Sequence, residues 1–320
     1  MRKSIGWPIL AAGLLVSVTA QADVWPSRII KAVIPFGAGS ATDVVPRMVF
    51  DRVAPELGQP ITVENRAGAG GTVGSIAVAR SEPDGYTIMA HSSAHTIAPA
   101  IFTEAKYDPA KDFSSALMIG YSANVMITSP SKPWKTIQEF VEAAKKKDAN
   151  ISFGTVGIGS AVHISAEKFR LAAGFEATHV PYRGGSEVIS DILGGRIDFY
   201  FCPLSTAIPL IQSGQVRALV ISTDKRSAEL PDVPTPKEAG YQNGETSIWF
   251  GVFVPAKTPR DIITKIHAAG TKVLATPEMQ KDLKRLGVEP MPLTPEQMDE
   301  FVVKELAANA ALVKAANIKQ

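Results

Sequence analysis

The stretch Ile29-Ile30-Lys31-Ala32-Val33-Ile34-Pro35-Phe36-Gly37-Ala38-Gly39-Ser40-Ala41-Thr42-Asp43 decides the fold class. Its first half is a β-branched apolar run that stops at Pro35, and its second half is a glycine turn. A helix is expected to follow. Ser40 or Thr42 would cap it, Asp43 would complement the helix dipole in the first turn, and Val44, Val45, Met48, Val49 and Val53 would form its apolar stripe.

Downstream, Gly58-Gln59-Pro60 ends that helix, and residues 61–63 read as a second strand. The glycine-rich turn 68–74, a helix over 75–80 and a strand over 86–90 complete the unit. Strand, helix, strand, helix, strand predicts parallel pairing with right-handed crossovers, and ligands in such sheets sit beyond the carboxyl ends of the strands. A second unit of the same kind is expected from a helix over 136–147 to a strand over 218–222. Its first strand, 151–154, runs into the loop Thr155-Val156-Gly157-Ile158-Gly159-Ser160 and a helix over 161–172. Extended runs at 112–128 and 247–254 lie between and after the units, so the chain is expected to cross twice. That makes a hinge able to close on a ligand. The expected domains are 23–118 with 250–320, and 119–249.

Upstream, residues 1–22 read as a secretory signal: Arg2 and Lys3, an apolar run from Trp7 to Val18, then Ala20-Gln21-Ala22. The run is short for a membrane span, and no later stretch is long and apolar enough to be one. The mature protein is therefore expected to be soluble, in the periplasm. Cys202, the only cysteine, cannot form an internal disulfide, so stability must come from the core. Lysine plus arginine number 33 against 31 acidic residues, which leaves no charge excess to attract nucleic acid. A monomer is the simplest expectation.

The loops 36–43 and 155–160 leave backbone N–H groups free at helix N-termini, where hydrogen bonds and dipole both favour an anion. The candidate ligand-binding residues are Phe36, Gly37, Ala38, Gly39, Ser40, Asp43, Ser92, His95, Thr155, Gly157, Gly159, Ser160, His163, Arg183 and Phe201. For several, a plainer role competes: Asp43 and His163 could brace their loops, Arg183 could be a surface residue, and Phe36, Phe201 and Trp249 could serve the core as well as a flat acid. Neither loop completes G-x-G-x-x-G, no glycine precedes lysine, and H-E-x-x-H is absent, so no nucleotide cofactor and no metal is expected. A hydrolase could be assembled from Ser92 or Ser160, His95 or His163, and Asp43, but no G-x-S-x-G elbow is present and an enzyme is not expected.

The runs Pro35-Phe36-Gly37-Ala38-Gly39, 63–71 (V-E-N-R-A-G-A-G-G), Pro83-Asp84-Gly85-Tyr86-Thr87, His179-Val180-Pro181-Tyr182-Arg183-Gly184, Leu193-Gly194-Gly195 and 230–235 (L-P-D-V-P-T) resemble those of Bug-type substrate-binding proteins of tripartite tricarboxylate transporters. The resemblance runs from about Trp25 to the C-terminal helices. It implies a two-domain periplasmic binding protein of the Venus-flytrap kind, type II-like. It also implies a small carboxylate held in the interdomain cleft, largely by backbone groups and waters of two loops that match 36–43 and 155–160, and delivery to membrane transporter subunits. A periplasmic sensor would need the same closure. Two departures stand out: Ser40 adds a hydroxyl where the family usually has glycine pairs, and Pro46 replaces a common alanine before Arg47. Pro46 would suit a first turn if the helix began late, moving Asp43 toward the cap.

Overall fold

The computed structural model describes residues 25–102, 106–182 and 184–319. The signal segment and Arg183 lie outside these residues. The chain forms two mixed sheets with helices on both faces. The first unit runs β1 (Ile30–Ile34), α1 (Ala41–Leu57), β2 (Ile61–Asn65), α2 (Thr72–Ala79), β3 (Thr87–Ser92), α3 (Ala94–Ile101) and β4 (Phe113–Ser122). The second runs β5 (Asn124–Thr128), α4 (Ile137–Ala144), β6 (Ser152–Thr155), α5 (Ala161–Ala173), β7 (Thr178–Pro181), α6 (Gly185–Leu193), β8 (Phe199–Pro203), α7 (Leu204–Gln212) and β9 (Arg217–Ile221). The chain then returns through β10 (Ile248–Pro255), α8 (Arg260–Leu274), α9 (Pro277–Arg285), β11 (Val288–Glu289) and α10 (Pro295–Ala315).

The strand orders are β11-β4-β10-β3-β1-β2 and β7-β6-β8-β5-β9. Strand β1 pairs parallel with β2 and β3, as β6 does with β7 and β8. In each sheet the third parallel strand then meets an antiparallel strand that arrives from the other unit's side of the chain, β10 on β3 and β5 on β8. Both of these crossing strands are buried along their whole length, which explains their strongly apolar sequences. The expected parallel units and the two crossings are thus both present. The sheet-to-sheet passage lies at Ala123, between β4 and β5, and in residues 222–247, whereas the boundaries expected at 118/119 and 249/250 fall inside β4 and β10.

Hydrogen bonds stitch the two crossings together. Ser222 N–H donates to Asn124 O at 2.8 Å and Thr246 N–H to Ser222 O at 2.6 Å. Ser165, on α5, lies 2.7 Å from the Thr246 hydroxyl and receives the Asn124 amide at 2.9 Å. Apolar contact between the units is made by Ile164 of α5 with Ile97 and Ile101 of α3 and Val313 of α10.

Three details differ from the sequence expectation. Helix α1 starts at Ala41 with Ser40 as its extended cap, so Asp43 is the third helical residue and Pro46 lies inside the helix, not in its first turn. The glycine turn, not the proline, sets the start; Pro46 merely leaves the Thr42 carbonyl without its usual partner. A helix not read from the sequence, α3, follows β3 directly, its small and apolar residues buried. Phe201 is fully buried and packs with Phe169 and Phe199 in the second unit's core. Trp249 is likewise 1% exposed, between Phe253 and Phe301. Neither can line a cleft.

Candidate functional site

The loops β1–α1 and β6–α5 repeat one construction. Their sequences read Gly37-Ala38-Gly39-Ser40-Ala41-Thr42-Asp43 and Gly157-Ile158-Gly159-Ser160-Ala161-Val162-His163. In each, the serine N–H closes a turn onto the first glycine carbonyl at 3.3 Å, and the second glycine has φ near +80°, +81° for Gly39 and +75° for Gly159. Only glycine adopts that backbone without strain. In each, the serine caps the helix in an extended conformation, and the third helical side chain reaches back to the second glycine N–H. Gly39 donates to Asp43 Oδ2 at 2.9 Å, and Gly159 to His163 Nδ1 at 3.1 Å.

The remaining N–H groups of the two loops have no such use. Among the described residues, Ala38, Ala41 and Thr42 in the first loop, and Ile158, Ala161 and Val162 in the second, donate to no protein acceptor. Each set converges on the positive end of a helix dipole, α1 of 17 residues and α5 of 13. An alkyl group at Gly37, Gly39 or Gly157 would meet no atom within 4 Å, so the space above both turns is open. At Gly159 the same group would lie 2.8 Å from Ile101 Cδ1, so glycine also lets the second loop settle against α3.

The side chains divide into those that hold the loops and those that face elsewhere. Asp43 is fully committed: Oδ1 accepts from Arg47 at 2.6 Å and from Asn65 Nδ2 at 2.9 Å, while Oδ2 holds Gly39. Burial alone would raise its pKa, but these donors outweigh burial and keep it below the ordinary carboxylate value. Its contribution to stability is therefore present above about pH 4 and lost as the pH falls through the depressed value. Both its oxygens being taken, Asp43 braces the loop instead of contacting a ligand. His163 has the same task in the second loop. His95, fully buried among Tyr107, Phe113 and Phe253 with neither ring nitrogen partnered, is a core residue and not a ligand contact. Ser92 is also buried, opposite Phe250 on β10.

Ser40 and Ser160 are unlike. Ser160 Oγ donates to Gly157 O at 2.7 Å and receives the His163 N–H, whereas Ser40 Oγ has no partner. Thr155 Oγ1 receives the Gly157 N–H at 3.2 Å and lies 2.6 Å from His179 Nε2. Phe36, half-buried, sets its ring edge-on to His91 at 5.5 Å. No serine here is paired with an imidazole as nucleophile to base: His163 Nδ1 is held by Gly159, and neither ring nitrogen of His95 has a partner. No group of three or more metal-ligating side chains occurs among the described residues. No helix among them is long and apolar enough to cross a membrane. Sequence reasoning missed Asn65, Arg47 and His179 as loop supports; the i,i+4 spacing of Asp43 and Arg47 was the readable signal for one of them.

Burial drives the histidine pKa values down. His91 and His163 fall to about 3, with His179 beside His163 adding to the effect, and His95 falls well below the ordinary value. All are neutral in the folded state, and the unfolded chain takes up protons first. Their contribution to stability is thus complete above about pH 6.5 and declines toward pH 3, by up to about 1.4 kcal/mol per pH unit for each. Thermal melts between pH 7.5 and pH 4 are expected to show a steadily falling midpoint; a flat profile across pH 6.5 to 5 would contradict these buried neutral imidazoles.

The family model for the tripartite tricarboxylate transporter family receptor matches residues 45–318. The chain belongs to this receptor family. Among solved structures, the chain is similar to the periplasmic binding protein BugD, at 33% identity and a TM-score of 0.80 over 92% of this chain and 99% of that one. It is similar to Rpa4515 of R. palustris, solved with adipate, at 30% identity and a TM-score of 0.82 over 92% and 99% of the two chains. It is similar as well to MatC of Rhodopseudomonas palustris, solved with bound malate, at 30% identity and a TM-score of 0.80 over 90% and 100%. The receptor therefore has the two-domain fold of the periplasmic binding proteins, with its two glycine loops at the carboxyl ends of the equivalent strands β1 and β6.

Proposed function

We propose that this receptor is a non-catalytic, exported solute-binding protein that captures a small carboxylate between the β1–α1 and β6–α5 loops and delivers it to a membrane transporter. The observation that carries the proposal is the set of six N–H groups, three per loop, left without protein acceptors at two helix N-termini. Two dipoles and six donors satisfy an oxyanion without an arginine clamp, and waters can bridge the donors that a carboxylate does not reach. Ser40 Oγ, partnerless at the α1 cap, supplies a further donor. Adipate and malate, the ligands of two similar proteins, are both dicarboxylates, which supports the ligand class.

The flanks of the cradle shape the rest of the ligand. Val156 and Ile158, on the second loop, are 38% and 37% exposed, and Val44 on α1 is 39% exposed. Such aliphatic rims favour a short hydrocarbon body over a heavily hydroxylated one. The apolar segment before Ala22 supports export to the periplasm, the two sheets are taken as the domains that hinge, and a monomer suffices for delivery. Isothermal titration of protein refolded to strip carried-over ligand, against malate, glutarate, adipate and benzoate, is expected to give a micromolar dissociation constant for at least one, roughly 8 kcal/mol. No heat with any of the four would sink the carboxylate proposal.

A further inference from the structure

The two loops share a glycine turn, an extended serine cap and a side-chain brace on the second glycine, but the brace itself differs in charge. At the third helical position the first loop carries Asp43 and the second His163. Asp43 brings a negative charge to the mouth of α1, and Arg47, 2.6 Å away, offsets it. Among the described residues, no ion pair is made with α5's first turn, the equivalent place in the second loop. Among the described residues, the groups that face His163 are uncharged aromatic rings. Its ring stacks on His179 of β7 at 4.0 Å and 12°, with Phe153 of β6 at 6.1 Å, and the one titratable neighbour, His179, lies against the Thr155 hydroxyl.

We infer that His163 is a positioning residue whose neutral imidazole, protonated at Nε2 and accepting at Nδ1, holds the second loop open to an anion without placing a charge beside it. The geometry requires that tautomer, because Gly159 N–H points at Nδ1 and a proton there would break the brace. A carboxylate at position 163 would brace equally well. It would also leave an uncompensated negative charge, 3% exposed like the histidine it replaced, beside the donors Ile158, Ala161 and Val162. The first loop tolerates an acidic brace because Arg47 pairs with it, whereas no described residue offers the second loop such a partner. The binding consequence rests on the carboxylate proposal above, whereas the tautomer does not.

Two measurements separate these. Imidazole nitrogen NMR of the whole mature protein without ligand is expected to show His163 neutral, with the proton on Nε2, from pH 7.5 to pH 5; an Nδ1-protonated or cationic ring at pH 7 overturns the inference. Titration with the tightest binder among malate, glutarate, adipate and benzoate then compares His163→Asn, His163→Asp and His163→Ala with the wild type. Asparagine, a neutral acceptor, is expected to restore affinity to within about threefold of wild type, aspartate to bind at least tenfold more weakly than asparagine and to melt lower as well, and alanine, which removes the brace as Asp43→Ala does in the first loop, to lose about a hundredfold. Equal binding by the aspartate and asparagine variants overturns the charge argument. If the wild type itself gives no heat, the carboxylate proposal fails, and the NMR result still decides the brace.

Discussion

Asp43→Ala is expected to weaken carboxylate binding at least a hundredfold and to lower stability by about 2 kcal/mol. The substitution removes three interactions at once. It strands the Gly39 N–H, leaves the Asn65 amide with only the Phe36 carbonyl, and leaves Arg47, 39% exposed, with only Asn65 Oδ1; the ion pair by itself adds little because of solvent screening. The larger effect is on the loop. Gly39 sits at φ +81° only because both sides of the turn are tied, and without Asp43 the donors Ala38, Ala41 and Thr42 no longer hold one arrangement. Asp43→Asn keeps a neutral acceptor for Gly39 and leaves Arg47 unpaired beside the anion, so it is expected to lose far less affinity. Titration calorimetry and urea melts on the two variants check this; wild-type affinity in Asp43→Ala would mean the loop needs no brace.

Phe199→Ala is expected to cost about 3–5 kcal/mol, read as a drop in the urea midpoint with little change in slope. The ring is fully buried and lies 5.3 Å from Phe153, 5.4 Å from Phe140, 6.1 Å from Phe175 and 6.3 Å from Phe201. No neighbouring backbone can collapse into that space, because β8 is a central strand with β6 on one side and β5 on the other. The loss extends to the site through a continuous stack. Phe199 supports Phe153, Phe153 supports His179 at 5.1 Å, and His179 supports His163. Weakened binding should therefore accompany the lost stability. A cost under 1 kcal/mol would show that this aromatic cluster is not the core of the second unit.

Much of this was readable from residues alone, and the failures share one cause. The β1–α1 and β6–α5 loops were legible because glycine, serine and the abrupt change from a period of two to a helical period are local signals. Parallel pairing followed from the alternation of elements. Phe201 and His95 were misplaced because local sequence marks a strand end but not what covers it, and it left Trp249 open between core and ligand. On β8, Phe199 and Phe201 face one packed layer while Tyr200 and Cys202 face another, so an aromatic there is buried whichever way it points. Pro46 misled similarly: its preference for a first turn is real, but the turn at Gly37 and Ser40 had already fixed where α1 begins. Asp43 and His163 each had two readings in sequence, and only the distances to Gly39 and Gly159 separate brace from contact.

The single residue between β4 and β5 sets the mechanics of the whole molecule. Ala123 is flanked by residues fixed in ladders, and the other crossing is tied to it through Asn124, Ser222 and Thr246. If the two sheets move against each other as proposed, Ala123 offers a short path about which they could turn. A motion with one soft coordinate has little conformational freedom to surrender when it stops. Under the proposed closure, the grip on a ligand would be set by what the two loops touch at the far end of the lever.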